Sequence, residues 1–265
     1  MQRLIRLTIG TLIVLLCSFG VAQESSRGTI DLNSIIDALE KTQAGVHPRA
    51  SYQVIREYQL FGANDSKAKS DVVAEIDFRP PGSKDYRIQK SSGNNRGEEV
   101  VRRLLEHEVE GASSRNQART ALNRDNYTFS YKGEAVLDGQ SCYVLELKPK
   151  RRETELVSGE AWIDKQSFLV RQIEGEVAKT PSWWLKKVRV KLTFADVSGT
   201  WLQTQMEAVA DVRVVGSHTL TSRILDYRGA AEVASSNSAH PQAEAGKRRP
   251  IPEVRSLSLS SIVPF

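Results

Sequence analysis

Leu185-Lys186-Lys187-Val188-Arg189-Val190-Lys191-Leu192-Thr193-Phe194 places Lys187, Arg189 and Lys191 on one side of an extended chain and Val188, Val190, Leu192 and Phe194 on the other. Side chains of a β-strand point alternately to opposite faces, so this segment belongs to a sheet with one apolar and one wet surface. The same two-residue period runs through residues 127–227. It divides into strands expected near 127–131, 141–148, 159–164, 168–177, 186–197, 201–214 and 218–227. The breaks carry hairpin chemistry: Asp138-Gly139 is a type I′ signal, and Ser198-Gly199 and Gly216-Ser217 serve later turns.

Upstream the pattern recurs. A strand over 51–61 sets Tyr52, Val54, Tyr58 and Leu60 on one face. After the loop 62–70, Val72, Ala74, Ile76 and Phe78 alternate with Val73, Glu75, Asp77 and Arg79, until Pro80-Pro81-Gly82 stops the strand; a third follows over 85–90. About ten strands in up-and-down order make a large antiparallel sheet that must close or be covered. Two stretches change period. Leu32, Ile35, Ile36 and Leu39 predict an amphipathic helix with Asp31 as N-cap and Gly45 as C-cap. Val100, Val101, Leu104 and Leu105 predict another over 97–109, and Ser113 or Ser114 caps a further one through Leu122. The apolar stripe of this helical insertion is expected to face the same cavity as the first helix.

Arg3 and Arg6, the apolar run 7–16 and Gly20-Val21-Ala22 read as a cleavable signal peptide, residues 1–22, with export to the periplasm. The competing reading, an outer-membrane lipoprotein acylated at Cys17, wants a small residue where Leu16 stands. Cleavage leaves Cys142 as the sole cysteine, so stability must come from the core. The formal charge of +5 does not call for nucleic acid. After Gly229 the Ala, Ser, Asn, Pro and Lys-Arg texture predicts a flexible tail, 229–265, behind a single β domain over 23–228.

Catalytic patterns do not assemble. His107-Glu108 begins the zinc-protease motif, but Gly111 occupies the second histidine position, so these two read as solvated helix residues. Ser66-Lys67-Ala68-Lys69 has acyl-enzyme spacing without its companion elements. Glu174 and Glu176 share a strand face beside Arg171 and Gln172, as a solvated face would. The row Lys187, Arg189 and Lys191 suits anionic headgroups or an acidic partner, although charges on the wet side are what such a sheet requires. Trp183 and Trp184, beside these lysines, fit either an interfacial anchor or the packed rim of a cavity.

Ala74-Glu75-Ile76-Asp77-Phe78-Arg79-Pro80 behind an N-terminal helix is followed by Val136-Leu137-Asp138-Gly139-Gln140-Ser141-Cys142-Tyr143-Val144-Leu145-Glu146-Leu147-Lys148-Pro149. Then come Ala161-Trp162-Ile163-Asp164-Lys165 and Val197-Ser198-Gly199-Thr200-Trp201-Leu202. Together, over residues 28–228, these resemble the outer-membrane lipoprotein-sorting (LolA/LolB-like) carriers, especially their uncharacterised periplasmic branch. The resemblance implies a mainly β (α+β) fold, an unclosed antiparallel β-barrel of about ten to eleven strands capped by helices. It implies a hydrophobic cavity for acyl chains of a lipoprotein or free lipid, and neither enzymatic activity nor a cofactor. Arg79-Pro80 matches the family's lid arginine, so Arg79 is expected to hydrogen-bond the capping helices. The residues expected to line the cavity are Ile35, Ile36, Leu39, Val54, Tyr58, Ile76, Phe78, Leu104, Val188, Val190, Leu192 and Phe194. Contacts to a membrane surface or a protein partner are expected from Trp183, Trp184, Lys187, Arg189 and Lys191. The alternative is a regulatory module that binds a protein partner with the same half-barrel, as envelope-stress sensors of this fold do.

Overall fold

The computed structural model describes residues 31–231, apart from 47, 49, 64 and 215. The expected leader and nearly all of the expected tail lie outside the described residues. Helix α1 (Leu32–Gly45) starts where Asp31 accepts the Asn33 amide at 3.2 Å. It buries Ile35, Ile36 and Leu39, the stripe its spacing predicts. Gly45 is its last residue and Val46 the cap, one position beyond expectation. Three strands follow, β1 (Tyr52–Phe61), β2 (Ser70–Arg79) and β3 (Ser83–Gly93), then α2 (Asn95–Gly111) and α3 (Ser114–Thr120). The remaining strands are β4 (Tyr127–Leu137), β5 (Gln140–Pro149), β6 (Val157–Asp164), β7 (Val170–Val177), β8 (Leu185–Val197), β9 (Thr200–Val212) and β10 (Gly216–Gly229).

Two strand boundaries differ from expectation for identifiable reasons. β4 continues past 131 to Leu137 because Gly133, at φ +135°, absorbs a register shift against β5. β7 begins at Val170 rather than 168 because Phe168 adopts φ +56° and closes a turn, its amide donating to the Asp164 carbonyl at 2.9 Å. Two of the three hairpin signals are borne out: Asp138-Gly139 has φ of 49° and 77°, and Ser198-Gly199 has 51° and 83°, both left-handed as a type I′ turn requires. Gly216-Ser217 instead opens β10, pairing with Val212 and Asp211, because the turn lies just before it.

The ten strands of the described residues form one antiparallel sheet in the order β3-β2-β1-β10-β9-β8-β7-β6-β5-β4. The path is up-and-down, but β1 pairs with β10 from Tyr52↔Gly229 to Phe61↔Thr219. The break therefore falls between β3 and β4, where the helices are inserted, and the sheet is unclosed.

One face of the sheet carries two apolar clusters. In the first, the α1 stripe packs on Tyr127, Phe129, Tyr143, Leu145, Leu147, Ala161, Ile163 and Ile173 of β4–β7. In the second, Val101 and Leu105 of α2 pack on Tyr52, Val54, Tyr58, Val72, Ala74, Ile76 and Phe78 of β1 and β2. The expectation that both helices face one cavity is thus corrected. Helix α2 leaves directly from β3, and Gly97 in its first turn lies so close to Ser70 that a Cβ there would overlap the serine side chain. That contact holds α2 to its own half of the sheet. On the other face polar pairs bridge the strands: Gln53 to Asp77 at 2.9 Å, Gln59 to Asp71 at 3.1 Å and Arg223 to Glu57 at 2.6 Å.

Asp164 fastens the turn between β6 and β7. Its Oδ1 accepts the amides of Gln166 and Ser167 at 3.0 and 2.8 Å, and its Oδ2 accepts Arg171 Nε at 2.7 Å. Burial pushes this carboxyl's pKa up, but these donors outweigh burial and hold it at about 2. A depressed folded-state pKa contributes stability that is present above the unfolded value and lost as pH falls toward 2. Asp164→Ala should therefore cost about 2 kcal/mol at pH 7, with a loss that shrinks between pH 4 and 2. Urea titrations across that range check it; a cost independent of pH would show that the carboxylate does not carry the turn.

Candidate functional site

The alternation that makes β1 amphipathic places Arg56 on its apolar face, between Val54 and Tyr58, and all three are buried. Burying an unpaired charge is costly, so the fold must supply partners. Nη2 of Arg56 donates to the Gln203 carbonyl at 2.7 Å, and Nη1 lies 3.8 Å from Glu108 Oε2. Glu108 Oε1 in turn accepts Lys84 Nζ at 2.6 Å. Two cations from β1 and β3 thus meet one anion from α2, tying the helix to the sheet.

Irregularities in strand pairing make room for this cluster. β10 follows β1 over its whole length, yet its pairing with β9 runs only from Gly216↔Val212 to Arg223↔Gln205. Beyond Gln205 the two strands part, and the Gln203 carbonyl is available to Arg56. Register shifts fall beside both groups, between Ile55 and Arg56 against β10 and between Thr193 and Phe194 against β9. Bulges of this kind re-aim side chains near sites.

Here lies a cavity of about 290 Å³ whose walls include Arg56, Tyr58, Lys84, Glu108 and Ser222, with Val54, Ile76, Leu104, His107, Leu202 and Met206. Tyr58 and Ser222 face each other in the β1–β10 register. Their hydroxyls and Arg56 Nε are buried without a hydrogen-bond partner. Burial, and then the negative charge of Glu108, push the Tyr58 phenol's pKa up against the opposing pull of the neighbouring Arg56 guanidinium, which lies beside the phenol without reaching hydrogen-bond geometry, so the phenol remains protonated at neutral pH. Burial also pushes the Glu108 carboxyl up, but Lys84 and Arg56 more than offset it and keep the group below the ordinary carboxylate range. Glu108 was expected to be a solvated helix residue. It is instead the counter-charge of this site, because the α2–β3 connection brings it over Lys84.

Helix α1 is held by a different arginine. Arg124 Nη1 pairs with Asp37 at 2.7 Å and Glu40 at 2.9 Å, and its Nη2 donates to the Asn33 carbonyl at 3.2 Å. A cavity of about 1020 Å³ opens beside it, at the end of α1, between α3 and Pro80-Pro81. Its walls combine Glu40, Gln43, Asn123, Arg124 and Asp125 with an apolar lining that includes Ala44, Pro48, Pro80, Pro81 and Leu122.

The residues expected to line one cavity divide between the two clusters. Ile35, Ile36 and Leu39 are buried in the first, with Val190, Leu192 and Phe194 partly buried against it. Val54, Tyr58, Ile76 and Phe78 are buried in the second, with Leu104 against it; Val188 is half-buried on β8. Arg79 is exposed and pairs with Asp85 at 3.2 Å across its own hairpin. Lys187 pairs with Glu176 at 2.6 Å, Arg189 sits opposite Glu176, and Lys191 sits between Glu174 and Glu207. The basic row is therefore interleaved with acidic rows. Trp183 is 79 % exposed, while Trp184 meets it edge-on at 5.8 Å and buries its indole nitrogen. Sequence reasoning passed over Arg56, whose signal was a charge at an apolar-face position. It also missed Arg124. Among the described residues no group of His, Cys, Asp and Glu is placed to hold a metal ion, and no helix is long and apolar enough to cross a membrane, which says nothing of membrane β-barrels.

A family model described as an uncharacterized protein family matches residues 111–227. No curated protein sequence matches this one. Among solved structures the chain is similar to an outer membrane lipoprotein-sorting protein domain from Vibrio parahaemolyticus, at 15% identity and TM-score 0.39, covering 73% of this chain and 91% of that one. It is similar to a DUF1329 family protein from Desulfovibrio piger, at 14% identity and TM-score 0.39, over 74% and 92% of the two chains. A LolA superfamily protein from Nitrosomonas europaea aligns at 13% identity and TM-score 0.34, over 74% and 92%.

Removing one member of the Arg56–Glu108 pair leaves the other in a half-apolar site with one partner fewer, Glu108 keeping Lys84 and Arg56 keeping the Gln203 carbonyl. Arg56→Met and Glu108→Leu should each cost about 1–3 kcal/mol, and the double variant should be more stable than the sum of the two losses allows. Denaturant unfolding of the four proteins checks this; strictly additive losses would show that the two charges do not depend on each other.

Proposed function

We propose that this chain is a periplasmic binding module that shields lipid acyl chains, of a lipoprotein or a free lipid, on the helix-covered face of its sheet. The observation that carries this reading is how α1 is attached. Three apolar side chains, Ile35, Ile36 and Leu39, lie on the sheet, and partly buried Val190, Leu192 and Phe194 border them. The polar hold combines the ion pairs of Arg124, whose side chain is 40% exposed, with hydrogen bonds that join Gln43 to both backbone groups of Leu122 and Glu40 to the Arg124 amide.

Such a helix is releasable. Burying three aliphatic side chains contributes roughly 5–9 kcal/mol. Ion pairs exposed to water and salt add little to this. An acyl chain gains about 0.8 kcal/mol per buried CH₂, so a chain of about twelve carbons brings some 10 kcal/mol before ordering costs and can offset the loss of α1. A ligand that binds only the uncovered sheet then shifts the equilibrium toward it.

In this reading the closing role expected of Arg79 passes to the arginines that reach the helices, Arg124 at α1 and Arg56 at α2. The alternative of a protein-binding surface on the basic row is weakened by the glutamates interleaved with it. The test is uptake of a fluorescent fatty-acyl probe, together with native mass spectrometry of the protein from its own envelope. Arg124→Ala should take up the probe several-fold faster than wild type, while Arg79→Leu should match wild type. A ligand-free mass with no uptake by any of the three proteins would overturn the proposal.

A further inference from the structure

We infer that the cavity beneath α2 is a seat for a single carboxylate, the head of a fatty-acid-like amphiphile whose chain runs along the apolar face. This deepens the acyl-binding reading and rests on it. Three buried polar groups on this cavity lack a partner, although the Glu108 carboxylate and the Gln203 carbonyl also line it. The Tyr58 hydroxyl, the Ser222 hydroxyl and Arg56 Nε are all buried and unpartnered, while the other two guanidinium nitrogens are engaged by Gln203 and Glu108. Tyr58, Ser222 and Arg56 are 1%, 4% and 7% exposed. Native proteins satisfy nearly all buried polar atoms, so three orphans on one cavity call for a missing acceptor.

The charge and the walls narrow its chemistry. Arg56 and Lys84 face one Glu108, which leaves a single positive charge in excess and suits a monoanion better than a phosphate dianion. Val54, Ile76, Leu104, Leu202 and Met206 make the remaining walls apolar, which suits an amphiphile better than a free inorganic ion. The head would accept from Tyr58, Ser222 and Arg56 Nε while Glu108 stays with Lys84. Helix α2 then covers the head as α1 leaves the other half of the sheet to the chain.

The experiment compares dodecanoate, dodecanol and dodecyl phosphate binding to the full chain by calorimetry, in wild type, Tyr58→Phe and Ser222→Ala. Dodecanoate should bind wild type at least tenfold tighter than dodecanol. Each hydroxyl deletion should weaken dodecanoate about tenfold and leave dodecanol unchanged, because hydrogen bonds to a charged partner are the strong ones. Neither variant should be less stable than wild type, since each removes an unsatisfied buried group. Equal binding of dodecanoate and dodecanol overturns the carboxylate seat and leaves the acyl reading standing. Tightest binding of the phosphate ester overturns the monoanion assignment. No binding of any of the three overturns both readings. Tyr58→Phe and Ser222→Ala that bind dodecanoate as wild type does would reduce the hydroxyls to packing groups and also overturn it.

Discussion

The pairing of β1 with β10 governs this molecule. It joins residues as far apart in sequence as Tyr52 and Gly229, puts both ends of the sheet-forming chain in the middle of the sheet, and moves the opening to β3 and β4. Had the up-and-down path simply ended at β10, β1 and β10 would be the edges and the helical insertion would lie over an interior hairpin. Instead α2 and α3 bridge the break, and α2 sits where its polar face can meet Arg56. The separation of β9 from β10 follows as well. β10 cannot track β1 to Gly229 and β9 to Thr200 at once, and the gap is where the guanidinium finds the Gln203 carbonyl.

The two halves of the helix-covered face are built on different terms. Over β4–β7 the cover is an apolar stripe with ion pairs at its rim, a contact held mainly by area. Over β1 and β2 the cover also carries a charge cluster, whose geometry is specific and whose disruption leaves a neighbour with one partner fewer. Contacts of the first kind yield readily to another apolar group. Contacts of the second kind discriminate, because an intruder must replace hydrogen bonds as well as surface.

Much of the sheet was legible because its signals are local. Alternation fixed the faces of Val188–Phe194 and Val72–Phe78, and Asp-Gly and Ser-Gly turns fixed two hairpins at left-handed positions. What escaped was non-local or concealed by a rule of thumb. No local pattern says that β1 meets β10. The face of β1 was read from Tyr52, Val54, Tyr58 and Leu60, and the charged residue at the intervening position was left out, although the period placed it there. Glu108 looked solvated because its own helix gives it no partner; both cations reach it from strands. The β7 boundary slipped because Phe168 is apolar and in phase, while its backbone obeys the Asp164 turn.

Among the described residues the unclosed sheet also leaves β3 and β4 with one unpaired row of backbone groups each, an invitation to join another chain edge to edge. β3 carries Lys84, Asp85, Arg87 and Lys90 along that exposed margin, and a foreign strand would have to bury or match these charges to dock. β4 is interrupted by the left-handed Gly133, with Lys132 and Glu134 beside it, so its margin is neither straight nor neutral. The charges and the kink at the two margins thus oppose edge-to-edge pairing at the opening that gives the helices their place, and under the proposed acyl-binding role they would do so while the helices uncover the apolar face.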